Sequence, residues 1–242
     1  MSDPQGLAFD ALAEDYDLGR PPWPRSLLDG VEGTAALDLA AGTGKLTSLL
    51  VQRVEVVHAV EPLAGMRGVL ERNAPAANVL AGSAERIPLD DSSVDAAFVA
   101  EAFHWFDSHA AVRELARVLR SGGTLVVCFN DYSLLPQLPE EFRITLRDAT
   151  KDLPAPGGPK VQSGAWKRGF DGAPFDALEE EHHRHEWSTT RESLAAYFVS
   201  TSSMGSLPEG ERVALRQRLV ELLPPTDYRI ELIAHAFRTL RT

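Results

Sequence analysis

Asp38, Gly42, Gly44 and Glu61 lie within 24 residues of one another, in and just after the stretch ALDLAAGTGKLTSLL. An acid ending one apolar run, a glycine pair after it and an acid ending the next run can serve three nucleotide-handling chemistries. A phosphate-binding P-loop needs a glycine five residues before its Gly-Lys pair and a Ser or Thr straight after the lysine. Leu39 and Leu46 occupy those places, so that chemistry fails. A dinucleotide loop wants three glycines spaced G-x-G-x-x-G, and Gly42, Gly44 and Thr47 supply two, with Glu61 available for a ribose.

The third chemistry holds a nucleoside joined to an amino acid, S-adenosylmethionine, with no pyrophosphate to cradle. It asks for an acid at the end of one strand, a turn that lets backbone approach the ligand, and a second acid to accept from the ribose hydroxyls. Asp38, the Gly42-Thr43-Gly44 turn and Glu61 supply all three.

Positioning these groups requires strands and helices in alternation. The sequence predicts strands at 35–40, 54–60, 78–82, 94–103 and 123–129, with helices at about 45–53, 63–72 and 108–120 between them. Near-continuous apolar strands separated by helices imply a parallel sheet covered on both faces, a doubly wound α/β fold. In the 108–120 helix Ala111, Val112, Leu115, Val118 and Leu119 form the inward stripe, with Gly122 as the expected C-cap. Phe9, Leu12, Ala13 and Tyr16 share one helical face, and Gly19, Pro21 and Pro22 end that first helix. After residue 131 prolines and glycines break the pattern around a helix near 140–151, as an insertion over the sheet. A polar strand at 178–188, helices within 190–204 and 208–223 and a strand at 227–237 complete the chain.

The chain has 242 residues, 44% of them hydrophobic, and no uncharged apolar run of membrane-spanning length, which predicts a single globular domain with no membrane association. The acidic start MSDPQGLAFDALAEDYD is unlike a secretory leader, so a cytoplasmic location is expected. A net charge of −11 disfavours nucleic acid as partner. Cys128, the single cysteine, sits in the apolar run TLVVCF and reads as a buried, inert thiol. In EHHRHEW, His183 and His185 share one face of a strand while His182 points to the other; no zinc-type set is complete, and no metal is expected.

AGSAERIPLDDSSVDAAFVAEAFHWFD followed by RELARVLRSGGTLVV, together with the opening FDALAEDYDLGRPPWP, resembles class I S-adenosylmethionine-dependent methyltransferases, in particular the small-molecule group of menaquinone and trans-aconitate methyltransferases. The resemblance covers about 9–129 in register and continues more weakly to the end. It implies a seven-stranded sheet of order 3-2-1-4-5-7-6 with the 227–237 strand inserted antiparallel, a lid over 1–25 and a cap over 131–172. It implies that Asp38 and Ala40 to Gly44, Thr43 included, hold the methionine part, Glu61 the ribose, and Pro62 and Met66 the adenine. Ser83, Ala84 and Glu85 match the segment along the adenine edge, Ala100 is counted with the cofactor contacts, and Tyr16 and Arg20 fold over the cofactor. Ser83 stands where many relatives carry aspartate, and Ala40 where a first glycine is common.

The implied activity is methylation of a small molecule, with oxygen acceptors leading, by a monomer or homodimer. His104 is the expected general base for a hydroxyl or carboxylic acid, and Trp23, Trp105 and Trp166 are expected around the acceptor. Two other readings stay open: a non-catalytic S-adenosylmethionine-binding protein, and a nicotinamide oxidoreductase lacking its third loop glycine and a Tyr-x-x-x-Lys proton donor.

Overall fold

The computed structural model describes residues 8–131, 138–153 and 161–242. Seven strands form one sheet in the order β3-β2-β1-β4-β5-β7-β6. They are β1 (Ala35–Leu39), β2 (Val56–Val60), β3 (Asn78–Leu80), β4 (Val94–Ala100), β5 (Leu119–Asp131), β6 (Glu179–Thr189) and β7 (Tyr228–Leu240). The first five run parallel, and β7 is antiparallel to both β5 and β6. The helices are α1 (Ala13–Gly19), α2 (Thr47–Leu50), α3 (Ala64–Asn73), α4 (Ser108–Val118), α5 (Glu140–Thr150), α6 (Arg191–Val199) and α7 (Glu209–Glu221).

Alternation along the central strands splits the apolar residues between two faces. Leu37, Leu39, Val99, Leu125 and Val127 pack beneath α4, whereas Ala36, Ala96, Phe98, Val126 and Cys128 pack with Trp23, Leu27 and Leu50 on the other side. Cys128 is fully buried and burial pushes its thiol pKa well up, as expected of an inert core cysteine. A third cluster joins Phe142 of α5 to Leu194 and Phe198 of α6, Leu219 of α7 and Ile230 of β7.

Boundaries differ from the sequence reading for local reasons. Only Thr47–Leu50 of the 45–53 segment is α-helical, because the chain enters it from a glycine turn and leaves it through i→i+3 bonds at Gln52 and Arg53. β4 stops at Ala100, since Glu101 turns into the left-handed region (φ 56) and Phe103–Trp105 form a 3-10 turn. Asp107 caps α4 by accepting from Ala110 N at 3.1 Å, and the C-cap is Leu119, not Gly122. The chain passes from helix to strand without a glycine terminator, and Gly122 (φ 77) instead occupies the irregularity between the Val94–Leu119 and Ala96–Thr124 pairs.

The N-terminal segment docks by close backbone approach. A Cβ built on Gly19 would lie 2.3 Å from the Tyr197 backbone nitrogen, so α1 and α6 touch where only glycine fits. Gly19→Ala must separate the two helices; the expected cost is about 1–3 kcal/mol, read as a drop in melting temperature of several degrees, and an unchanged melting temperature would contradict this packing.

The expected 131–172 insertion is described in two pieces. Helix α5 joins the third cluster, and 161–170 packs with Trp166 and Phe170 on the α4 side. Pro136, Pro154, Pro156, Gly157, Gly158 and Pro159 lie outside the described residues, as do the first seven residues of the 1–25 segment.

Candidate functional site

The carboxyl ends of β1, β2 and β4 converge where the strand order reverses, the place where open α/β sheets bind ligands. Asp38 is the penultimate residue of β1 and only 1% exposed. Its Oδ2 accepts from Thr47 Oγ1 at 2.6 Å, while Oδ1 is buried without a partner among the described residues. Burial raises the Asp38 pKa to about 7, opposed by the Thr47 hydrogen bond and reinforced by the nearby Glu61 charge.

Glu61 follows β2 directly and is 3% exposed. Its Oε2 accepts from Gly42 N at 3.0 Å and its Oε1 from Leu63 N at 2.9 Å, so one carboxylate ties the glycine turn to the start of α3. Burial raises its pKa, against the two backbone hydrogen bonds. Each oxygen keeps a second lone pair for a ligand.

Between the two acids the chain turns through Ala40 (φ 57), Gly42 (φ 58) and Gly44 (φ 87). At Gly44 a Cβ would fall 2.6 Å from Leu70 Cδ1 of α3, whereas at Gly42 the nearest atom would be Tyr16 Cε1 at 3.9 Å. Gly44 thus serves helix packing, and Gly42 leaves backbone bare toward open space. Thr43 Oγ1 is a second buried polar atom without a partner among the described residues.

Two clefts share this turn. One is walled by Asp38, Thr43, Tyr16, Arg20, Trp23, Lys45 and Asn130. The other is walled by Glu61, Phe9, Leu63, Met66 and Trp105. Tyr16, Ala40, Gly42, Ala100 and Glu101 border both. A smaller third cleft gathers Pro62, Ser83, Ala84 and Glu85 beside Ala40. The expected cofactor contacts therefore come together, in three adjoining clefts, except that Gly44 faces α3.

Tyr16 lies over the junction, its ring edge-on to Phe9 at 5.7 Å. The Arg20 guanidinium is sandwiched between the Tyr16 and Tyr197 rings at 4.6 and 4.9 Å and donates to Ser200 O at 3.3 Å. Burial raises the Tyr16 pKa, partly offset by Arg20. Asp38 Oδ1 and Thr43 Oγ1 are the orphaned groups an amino-acid end would satisfy, and Glu61 presents acceptors to a ribose, so the donor set fits S-adenosylmethionine.

The expected acceptor residues separate. Trp23 lines the first cleft and Trp105 the second, but Trp166 is core, ringed by Phe103, Phe129, Phe170 and Phe237 at 5.1–6.3 Å and outside all three clefts. His104 also borders none of them; its ring packs on Trp105 and Phe129, and its buried Nδ1 has no partner among the described residues. Burial lowers its pKa to about 4.

Two wall residues escape motif reading. Glu101 borders both main clefts and accepts on Oε1 from Asn130 N at 2.7 Å. Asn130 Oδ1 in turn meets His185 Nε2 at 3.0 Å. Glu101 holds left-handed backbone (φ 56), a conformation that is costly for a non-glycine residue and persists where its surroundings fix it. Its sequence signal is a charged residue straight after a buried strand.

Among the described residues no helix is long and apolar enough to cross a membrane. The family model described as a methyltransferase domain matches residues 37–127. An uncharacterized methyltransferase of Mycobacterium tuberculosis is 48% identical over 127 residues, 51% of this chain and 52% of that protein, so the match spans about half of that relative's length. An uncharacterized methyltransferase-like protein of Schizosaccharomyces pombe is 31% identical over 222 residues, covering 88% of this chain and 85% of its own. A solved structure from Anaeromyxobacter dehalogenans, provisionally named a type II methyltransferase, shares the fold with a TM-score of 0.63 at 24% identity, over 92% of this chain and 97% of that one. Acids at the ends of β1 and β2, a bare glycine turn between them, the sheet order and 31% identity to a methyltransferase-like relative over 88% of this chain converge: the chain belongs to the class I S-adenosylmethionine-dependent methyltransferase family.

Proposed function

We propose that the chain transfers the methyl group of S-adenosylmethionine to a small-molecule acceptor, with oxygen as the leading acceptor atom. One observation carries this reading: the cleft holding Asp38 and the cleft holding Glu61 share a wall of Tyr16, Ala40, Gly42, Ala100 and Glu101. Asp38 would hold the ammonium of the methionine part, Glu61 the ribose hydroxyls, and Met66 and Leu63 an apolar side of the nucleoside. The sulfonium supplies an activated methyl group; the chain's task is to orient an acceptor in line with it and exclude water. Tyr16 and Phe9 of the N-terminal segment, both on the cleft walls, would cover the bound cofactor. A net charge of −11 favours a small molecule over a nucleic acid.

An oxygen acceptor must lose a proton or arrive ionised. His104 remains the proposed base; with a pKa of about 4 it is neutral at pH 7 and a weak base, so it serves a phenol-like hydroxyl better than an ordinary alcohol, whereas a carboxylic acid arrives ionised and needs no base. The Glu101 carboxylate, at the junction itself, is the second group able to take a proton.

Tritium transfer from labelled S-adenosylmethionine to a panel of carboxylic acids and phenols tests the activity. With a productive phenol acceptor, His104→Ala is expected to lower kcat at least about tenfold while leaving S-adenosylhomocysteine affinity within about twofold. Parental turnover in His104→Ala with loss in Glu101→Gln would move the proton to Glu101. Cofactor binding with no transfer to any class of acceptor would contradict the enzymatic reading.

A further inference from the structure

The outer strands bring together three metal-ligating side chains that no step of methyl transfer uses. His182 of β6 and His235 of β7 are direct partners in the antiparallel ladder, and Glu180, paired with Phe237, lies two residues earlier on the same face. The two imidazole centroids are 4.5 Å apart. Glu180 Oε1 lies 3.1 Å from His182 Nε2 and 3.6 Å from His235 Nδ1. One ligand atom from each of the three falls within 4.8 Å of the others.

We propose that Glu180, His182 and His235 bind a zinc-type divalent transition-metal ion, two imidazole nitrogens and one carboxylate oxygen filling three positions and water the fourth. Metal–ligand bonds of about 2.0–2.2 Å in tetrahedral arrangement set ligand atoms roughly 3.3–3.5 Å apart. The two Glu180 distances bracket that spacing and no ligand atom lies more than 4.8 Å from another, so side-chain rotation about a fixed ladder would bring the set around an ion. Imidazole with carboxylate selects the zinc, copper and nickel group over magnesium or calcium, which prefer all-oxygen sets. Side-chain exposures of 46%, 57% and 34% for Glu180, His182 and His235 give solvent an entry path.

Lys167 opposes an ion. Its ammonium lies 4.1 Å from the centroid of the Phe237 ring and acts electrostatically on Glu180. A single ammonium at the margin competes with three direct ligands, which lowers the affinity without removing the site. His183 and His185 point to the opposite face, where His183 meets Ser26 Oγ at 2.9 Å and His185 meets Asn130, so they serve as internal controls.

Calorimetric titration of the tag-free, EDTA-treated full chain with zinc chloride tests the site. One ion per chain is expected, with a dissociation constant on the order of micromolar. His182→Ala, His235→Ala and Glu180→Gln should each weaken binding at least tenfold, and His183→Ala should leave it unchanged. Melting temperatures in EDTA within a degree or two of the parent's would show that the exposed substitutions leave the fold intact. No saturable binding by the parent below about 1 mM, or undiminished binding by the His182→Ala, His235→Ala double variant, overturns the proposal.

Discussion

Glu61→Ala is expected to weaken S-adenosylhomocysteine binding by at least about a hundredfold, since hydrogen bonds to a charged group contribute about 1.5–3 kcal/mol each and a ribose offers two hydroxyls. The same change removes the acceptor for the Gly42 and Leu63 amides, which tie the glycine turn to α3. The ligand-free variant should therefore melt lower than the parent as well. Glu61→Gln separates the two effects imperfectly, because its amide group must point one N–H at a backbone N–H. Both variants are expected to lose the ligand-induced rise in melting temperature, while differing in the ligand-free value. A Glu61→Ala protein that binds as tightly as the parent would remove the ribose from this position.

The second large effect is a pair of opposite pH slopes set by Asp38. Its pKa is raised to about 7 in the folded chain from an ordinary value of 3.8. Between these values the folded protein holds a proton that the unfolded chain has lost, so this contribution to stability is full below about pH 4 and is lost as pH rises through about 7. Glu61, raised by burial in the same direction, adds to that slope. Cofactor binding runs the other way, because an ammonium needs the ionised carboxylate. S-adenosylhomocysteine affinity should rise roughly tenfold per pH unit as pH approaches 7 from below, then level off. Asp38→Asn should flatten most of both slopes and bind weakly at every pH, as chemical melts and calorimetry over pH 5.5–7.5 would show. Parallel slopes for stability and affinity would contradict the assignment.

How much of this was legible in the sequence follows from the range of each interaction. Apolar runs and glycines are local signals, so the parallel strands, the α4 stripe and the Asp38, Gly42 and Glu61 constellation are readable from neighbours in the chain. Sheet order came through resemblance, because the placement of β7 between β5 and β6 depends on pairing between segments about a hundred residues apart. Trp166 looked like an acceptor contact and is a core residue, since an aromatic in a broken segment carries no sign of whether it faces a cleft or the sheet. His104 lies beside the clefts instead of within them because Ala102 to Trp105 coil into a tight turn once Glu101 adopts left-handed backbone. That conformation belongs to the meeting of β4 with Asn130 of β5, which pattern reading does not see. His182 could not be paired with His235 for the same reason: the ladder register joins residues 53 positions apart.

The central claim is that Asp38 and Glu61 flank one adenosyl ligand across the glycine turn. Calorimetric titration of the parent and of Glu61→Ala with S-adenosylhomocysteine, with NAD as the competing ligand, tests it most directly. One saturable site for S-adenosylhomocysteine in the parent, its near loss in Glu61→Ala and no binding of NAD are expected. Binding of NAD in its place, or S-adenosylhomocysteine affinity untouched by the substitution, would contradict the account.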